Sequence, residues 1–250
     1  MVRLVDTDLG RPQLTAAIDE ALLGSLLAGH SADTIHLYRR RPPSVSIGYF
    51  QSAAHVADLE ACHRDGVPVV RRISGGGAIF TDERQLVYAL AFRPSGPIKA
   101  REGLALTCAA LVRALGRLGI GDAKMSGIND VVVGDAKVSG SAQVIRRGVH
   151  LVHGTLLVDV DKQALARYLL PQDSRDSSRE HPTPAARVTT LADILGSPPP
   201  MDVVKAVVVE ELAGAVGGVP EPGHLNTWEL DEVDRLLGAR YERDEWNLRR

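Results

Sequence analysis

Two arginines, a serine and three glycines stand together at Arg71-Arg72-Ile73-Ser74-Gly75-Gly76-Gly77-Ala78, between the apolar stretches 67–70 and 86–92. Glycine lacks a packing side chain and has the most backbone entropy to lose, so three in a row weaken any strand. They are best tolerated where backbone must approach a ligand closely. Cations beside exposed N–H groups suit an anionic or strongly polar ligand. A second polar set lies further on, at Asn129-Asp130, Lys137-Val138-Ser139-Gly140-Ser141 and His153-Gly154-Thr155. Lys137 offers a compact point charge for a phosphate or carboxylate. Asn129 and Asp130 offer oxygen ligands of the kind Mg²⁺ takes alongside substrate phosphates. Arg71, Arg72, Ser74, Asn129, Asp130, Lys137 and His153 are the groups that could converge on one face.

Other chemistries lack their patterns. No GxxxxGK[ST] loop, no GxGxxG after a strand and no GxSxG elbow is present. His150 and His153, three apart on a strand, point to opposite faces and cannot share a metal ion. Cys62 and Cys108 are too few for a disulfide scaffold and too far apart for a zinc pair. Each falls on an expected helix, where a cysteine acts as a small buried hydrophobe.

These residues need elements to hold them. The expected strands cover residues 2–6 (an edge), 34–38, 44–47, 67–71 and 86–92. The last two read as antiparallel neighbours joined by the glycine loop. Arg39-Arg40-Arg41-Pro42-Pro43 reads as a solvated turn. Helices are expected from Pro12 through Leu26, over 54–65 and over 101–118. A three-stranded meander follows at 131–133, 137–145 and 149–160. Gly140 and Gly154, on neighbouring strands, would leave its surface open for a ligand. Further helices are expected at 161–169, 190–195, 202–215 and 226–238. Residues 171–187 read as a lid-like loop and 240–250 as a polar tail.

The chain of 250 residues, 44% hydrophobic and 24% charged with a net charge of −2, can bury a sizeable core. It shows no overall electrostatic footprint for nucleic acid. It has no signal-peptide pattern and no apolar run long enough to cross a bilayer. With two cysteines only, a soluble protein of a reducing cytoplasm is expected, with no nucleic-acid or membrane partner.

Four blocks, residues 71–80, 127–130, 137–143 and 153–157, resemble in order those of the lipoate–protein ligase A family of the biotin/lipoate ligase superfamily. Residues 43–48 and 187–191 extend the likeness over most of the chain. The resemblance implies an α/β (α+β) catalytic fold related to class II aminoacyl-tRNA synthetases, with a central, mainly antiparallel sheet flanked by helices. It implies a single catalytic domain over 1–250. It also implies a two-step reaction: ATP and lipoate form lipoyl-AMP, and the lysine of a lipoyl domain then takes the lipoyl group. The acceptors implied are the E2 subunit of a 2-oxoacid dehydrogenase, the glycine cleavage H protein or a related lipoate-binding protein. In this reading Lys137 is catalytic. Arg72, Ser74, Gly75, Gly76, Gly77, Ala78, Lys137, Gly140, Ser141, His153, Gly154 and Thr155 bind lipoate or lipoyl-AMP. Asn129, Asp130 and Arg187 bind ATP or the adenylate, and Asp130 holds Mg²⁺.

The chain departs from the pattern in places. Thr81-Asp82 stands where the family has His-Asp, and Arg84-Gln85 where it has Gly-Asn. The C-terminal accessory domain of two-domain ligases has no counterpart, so the chain works with a separately encoded accessory subunit or without one. Two other readings remain: an octanoyl or lipoyl transferase acting without ATP, and a non-catalytic lipoate-binding protein. The cysteine-dependent transferases of this fold carry their thiol shortly before the lysine block, where this chain has Ile128 and Asn129.

Overall fold

The computed structural model describes residues 1–171 and 184–249. Its first strand, β1 (Val2–Gly10), leads into α1 (Pro12–Ala28), with Pro12 at the first helical position, where its fixed φ suits the helix. β2 (Thr34–Arg40) and β3 (Ser44–Ile47) follow. The single helix expected at 54–65 is two short ones, α2 (Ala53–Val56) and α3 (Leu59–Arg64). The break has a cause: Ala57 is extended and bridges Leu169, and Asp58 caps α3 by accepting from the Ala61 N–H.

β4 (Val69–Arg71), β5 (Ile79–Thr81) and β6 (Leu86–Phe92) come next, then α4 (Ala100–Arg117). The expected antiparallel pairing of 67–71 with 86–92 does not occur. β4 pairs in parallel with β3, and β5 takes the other side of β3, making a small sheet of three strands. β6 is buried along its whole length, as its continuous apolar run requires, and lies between β2 and a later strand in the main sheet.

The meander is β8 (Asp130–Val133), β9 (Ala136–Arg146) and β10 (Val149–Leu156), preceded by β7 (Lys124–Ser126). Beyond it lie α5 (Lys162–Tyr168), a 3-10 turn at Pro184–Arg187, α6 (Leu191–Leu195), α7 (Met201–Ala215), β11 (Pro220–Pro222), α8 (Thr227–Leu236), a π-helical turn at Leu237–Tyr241 and α9 (Asp244–Asn247). The main sheet runs β11-β1-β2-β6-β10-β9-β8-β7, so β1 is not an edge strand: it pairs in parallel with β11 and with β2. From β2 to β7 every pairing is antiparallel. α4 and α7 cover one face through Leu111, Leu115, Val208 and Leu212, and α1 and α8 the other through Leu22, Leu23 and Leu236. This is the mixed fold expected, a mainly antiparallel sheet between helices.

The tail is not a loose polar segment. Asn247 is buried and its Oδ1 accepts the Arg71 N–H at 3.0 Å, while the Trp246 indole donates to Arg71 O at 3.0 Å. Of the expected lid, residues 172–183 lie outside the described residues. No helix among the described residues is long and apolar enough to cross a membrane.

Candidate active site

A cleft runs along the seam between the small and the main sheet. β9 and β10 form its floor. Lys137 stands there with Nζ 2.7 Å from Asp130 Oδ1. The ammonium lies on Gly140: a methyl group on that residue would come within 2.3 Å of Nζ. Gly154 answers a second close approach, since a Cβ there would meet Tyr88 Oη at 2.3 Å and Gly140 O at 2.5 Å. Gly140 thus clears the space beneath the lysine, and Gly154 makes room for the Tyr88 hydroxyl. The Lys137 carbonyl accepts the Thr189 N–H at 2.9 Å, and Val188 bridges Lys137, so the segment leading to α6 walls this end.

Two residues back along β10, on the same face as Thr155, His153 belongs to a different set of groups. Asp19, buried on α1, accepts from His153 Nδ1 at 2.9 Å, from His36 Nδ1 at 2.8 Å and from Tyr38 Oη at 3.1 Å. Burial pushes the Asp19 carboxyl up, but the hydrogen bonds from His153 and His36 outweigh it and hold it well below the usual carboxylate range. The other ring nitrogen of His153, Nε2, lies 2.6 Å from Ser74 Oγ. Burial, then the Asp19 charge, raises the Tyr38 phenol far above its ordinary value, so it stays a donor.

Ser74, His153 and Asp19 have the order of a nucleophile, base and orienting acid. Their burial gives them another task. Ser74 is 0% exposed and its Oγ also accepts from Arg72 Nε at 3.1 Å. Arg72 then donates to Gly75 O and Gly77 O at 2.7 Å each and to Ser46 O at 3.1 Å. The row ties the glycine loop to β10 and α1. Burial, with Arg40 nearby, pulls the Arg72 guanidinium down to about 10.

Neither arginine of the pair is left over for an anion. Arg71 is fully buried and turned away from the cleft: Nη1 donates to the carbonyls of Gly48, Tyr49 and Gln51, and Nε to that of Trp246. Of the expected site residues, Arg72, Gly76, Gly77, Ala78, Asn129, Lys137, Gly140, Ser141, His153, Gly154 and Thr155 line the cleft. Ser74, Gly75, Asp130 and Arg187 do not; Ser74 acts through His153, and Asp130 through Lys137. Asp19, Tyr38, Arg40, Ile79, Thr81 and Val87 line it without having been expected. The reading of Arg40 as a solvated turn fails, because it is 4% exposed and its Nε donates to Thr15 Oγ1 at 3.2 Å. An acid and two arginines next to apolar runs were the available signal.

The donor set does not fit a protein-held Mg²⁺. Asp130 is paired with Lys137, while the Asn129 side-chain NH₂ donates to Ser141 O at 2.6 Å and the Asn129 main-chain carbonyl accepts the Ser141 N–H. Among the described residues no group of three or more His, Cys, Asp or Glu side chains is arranged to hold a metal ion.

Residues 11–213 match the lipoyl protein ligase A/B catalytic domain. The chain belongs to that family. Within the lipoyl ligase A/B family, its relatives include the octanoyltransferase LipM of Kyrpidia tusciae, 33% identical over 272 residues covering 99% of this chain and 98% of that one. The octanoyltransferase LipM of Symbiobacterium thermophilum is 32% identical over 273 residues, with 99% and 98% covered. Solved structures with this fold include a lipoate-protein ligase A bound with ATP, at TM-score 0.85, 24% identity and 98% of each chain. A bi-partite lipoate protein ligase from Thermoplasma acidophilum, studied with its E2 lipoyl domain, gives 0.84 and 25% over 99% of this chain and 95% of that one. The protein is an enzyme of the lipoyl and octanoyl ligase–transferase family. The expectation of an ATP-dependent lipoate ligase is overturned: the curated relatives at 32–33% identity that match over nearly their whole length are octanoyltransferases.

Proposed function

We propose that the protein transfers a medium-chain acyl group, octanoyl in the first instance, from an activated thioester to the lysine ε-amine of a lipoyl domain, without consuming ATP. The observation that carries this reading is the cleft, which sets apolar walls beside the Lys137 ammonium. Ile73, Ala78, Ile79, Val87 and Ala142 suit an alkyl chain, and Lys137 stands over the Gly140–Gly154 floor. When an amine attacks an acyl carbonyl, negative charge develops on the carbonyl oxygen. A fixed ammonium in a partly enclosed cleft stabilises that charge more than it stabilises the neutral ground state, which is what lowers a barrier. Asp130 holds Nζ in place, and the glycine floor lets the carbonyl come close. Lipoyl domains fit as acceptors because a solved relative of this fold works with an E2 lipoyl domain.

The test is to incubate the protein with an octanoyl thioester and an unmodified lipoyl domain, with no nucleotide present. Mass spectrometry should show one octanoyl group on the acceptor lysine. Product that appears only when ATP and free acid are supplied would overturn the proposal.

A further inference from the structure

We propose that the cleft takes a medium-chain acyl group whose far end carries a carboxylate, held at the Arg40 guanidinium while the activated end lies beside Lys137. This rests on the acyl-transfer reading above and names the substrate class of the same site.

Arg40 ends β2, is 4% exposed and lines the cleft. A guanidinium taken out of water needs a carboxylate or well-placed carbonyls in exchange. Arg72, in the same cleft, has three carbonyls. The Arg40 side chain has hydroxyls instead: Thr15 Oγ1 lies 3.2 Å from Nε, and Ser44 Oγ and Thr81 Oγ1 lie 3.4 and 3.5 Å from Nη1. Among the described residues it forms no ion pair, and the acids around it are committed elsewhere. Asp19 accepts from His36, His153 and Tyr38, and Asp82 pairs with Arg84. Arg40 also lies near enough to Arg72 to depress that guanidinium, so an anion here would relieve a repulsion as well. Folding has already stripped Arg40 of water, which leaves only the ligand's own charge to be desolvated on binding.

The sheet sets the length of the ligand. Gly140 on β9, Thr155 on β10, Val87 on β6 and Tyr38 on β2 are register partners in turn, so they form one row across four strands. Lys137 Nζ lies on the Gly140 end of the row. Arg40, two residues past Tyr38 on the same face, stands at the other, its guanidinium carbon 5.7 Å from the Tyr38 ring centre. Three strand spacings make about 14 Å. Val87 lies between the two cations, and Ile79 faces the same cleft from the small sheet. Cations at both ends of an apolar interval match a chain with an acceptor at both ends. A methyl terminus would leave the Arg40 charge unpaired, whereas a carboxylate gives it charge-assisted hydrogen bonds.

The test compares the octanoyl thioester with the monothioester of octanedioate as donors to an unmodified lipoyl domain. The parent chain should favour the carboxylated donor in kcat/KM by at least about tenfold, the scale of one hydrogen bond to a charged group. Arg40→Met should erase the preference, and Arg40→Lys, which keeps the charge, should retain part of it. Equal or better use of the octanoyl thioester by the parent overturns the inference, as does a preference that Arg40→Met leaves intact. If neither variant folds, the methyl ester of the carboxylated donor decides in the parent: it keeps the length without the charge and should lose the advantage, and an advantage that survives esterification overturns the inference. Calorimetry with the unreactive amides, octanamide against octanedioic monoamide, separates the two readings. Tighter binding of the carboxylated amide without transfer from either thioester sinks the transferase reading alone, and transfer with equal binding of the two amides sinks this inference alone.

Discussion

At the scale of single residues, the floor beneath Lys137 makes two near-identical substitutions diverge. In Gly140→Ala the new methyl would meet the mobile end of Lys137, so the chain should fold with an unchanged melting temperature while transfer falls as Nζ is displaced. In Gly154→Ala it would meet the buried Tyr88 hydroxyl and a main-chain oxygen, and overpacking of this kind costs about 1–3 kcal/mol. Thermal melts beside rates on both variants check the contrast. Lys137→Leu should lower turnover by about 10²–10³-fold with an unaltered far-UV spectrum, the scale of losing one oxyanion partner. Lys137, Gly140 and Gly154 were legible because their types are odd for mid-strand positions. Asp19 was not. It follows Ala16, Ala17 and Ile18 on α1, and nothing local indicates that two histidines from other elements, His36 and His153, come to meet it.

At the scale of elements, β10 presents its two histidines differently, as the strand period requires. His153 faces Asp19, while His150 faces α4 and Phe92, with a buried Nδ1 that has no hydrogen-bond partner. Burial lowers the His150 imidazole below its ordinary 6.5. The unfolded chain therefore binds this proton more readily than the folded one, so stability should fall as pH drops below about 6.5. Urea unfolding at pH 7.5 and 5.5 should show a smaller loss in His150→Gln than in the parent. Strand existence was readable where the apolar run was continuous, as in β6, or alternated with small polar residues, as in β3. Strand partnership was not, because which edges meet is decided by the whole chain: the β4–β6 pairing looked natural across the glycine loop, yet β3 separates β4 from β5 and takes both. β7 was missed because Lys124, Met125 and Ser126 are too exposed to alternate.

At the scale of the molecule, the C-terminus and the glycine loop are one construction. The Arg249 guanidinium lies over the Trp246 ring at 4.1 Å and over Tyr49 at 4.5 Å, and Asn247 and Trp246 hold the Arg71 backbone. Glu20 Oε2 accepts from Tyr241 Oη at 2.8 Å, and its Oε1 pairs with Arg240, fastening the same region to α1. Asn247→Ala removes two hydrogen bonds made by a buried side chain, to the Arg71 N–H and the Tyr241 carbonyl, at about 1–3 kcal/mol. It should lower the melting temperature by several degrees and raise KM for the acyl donor, although residue 247 does not line the cleft. The composition of residues 240–250 reads as a polar tail, because the order of this segment comes from partners 175 and more residues away. The seam between the sheets has its own consequence. Ser46, Ile79 and Thr81 line the cleft from the three-stranded sheet, and Val87, Lys137 and Thr155 from the eight-stranded one. A bound chain touches both and so acts as a strut across a joint. Breathing of the small sheet away from the large one should then be the slowest-exchanging motion once acyl donor is present, with amide hydrogens of Val45, Ile47 and Phe80 gaining protection together, as members of one unit.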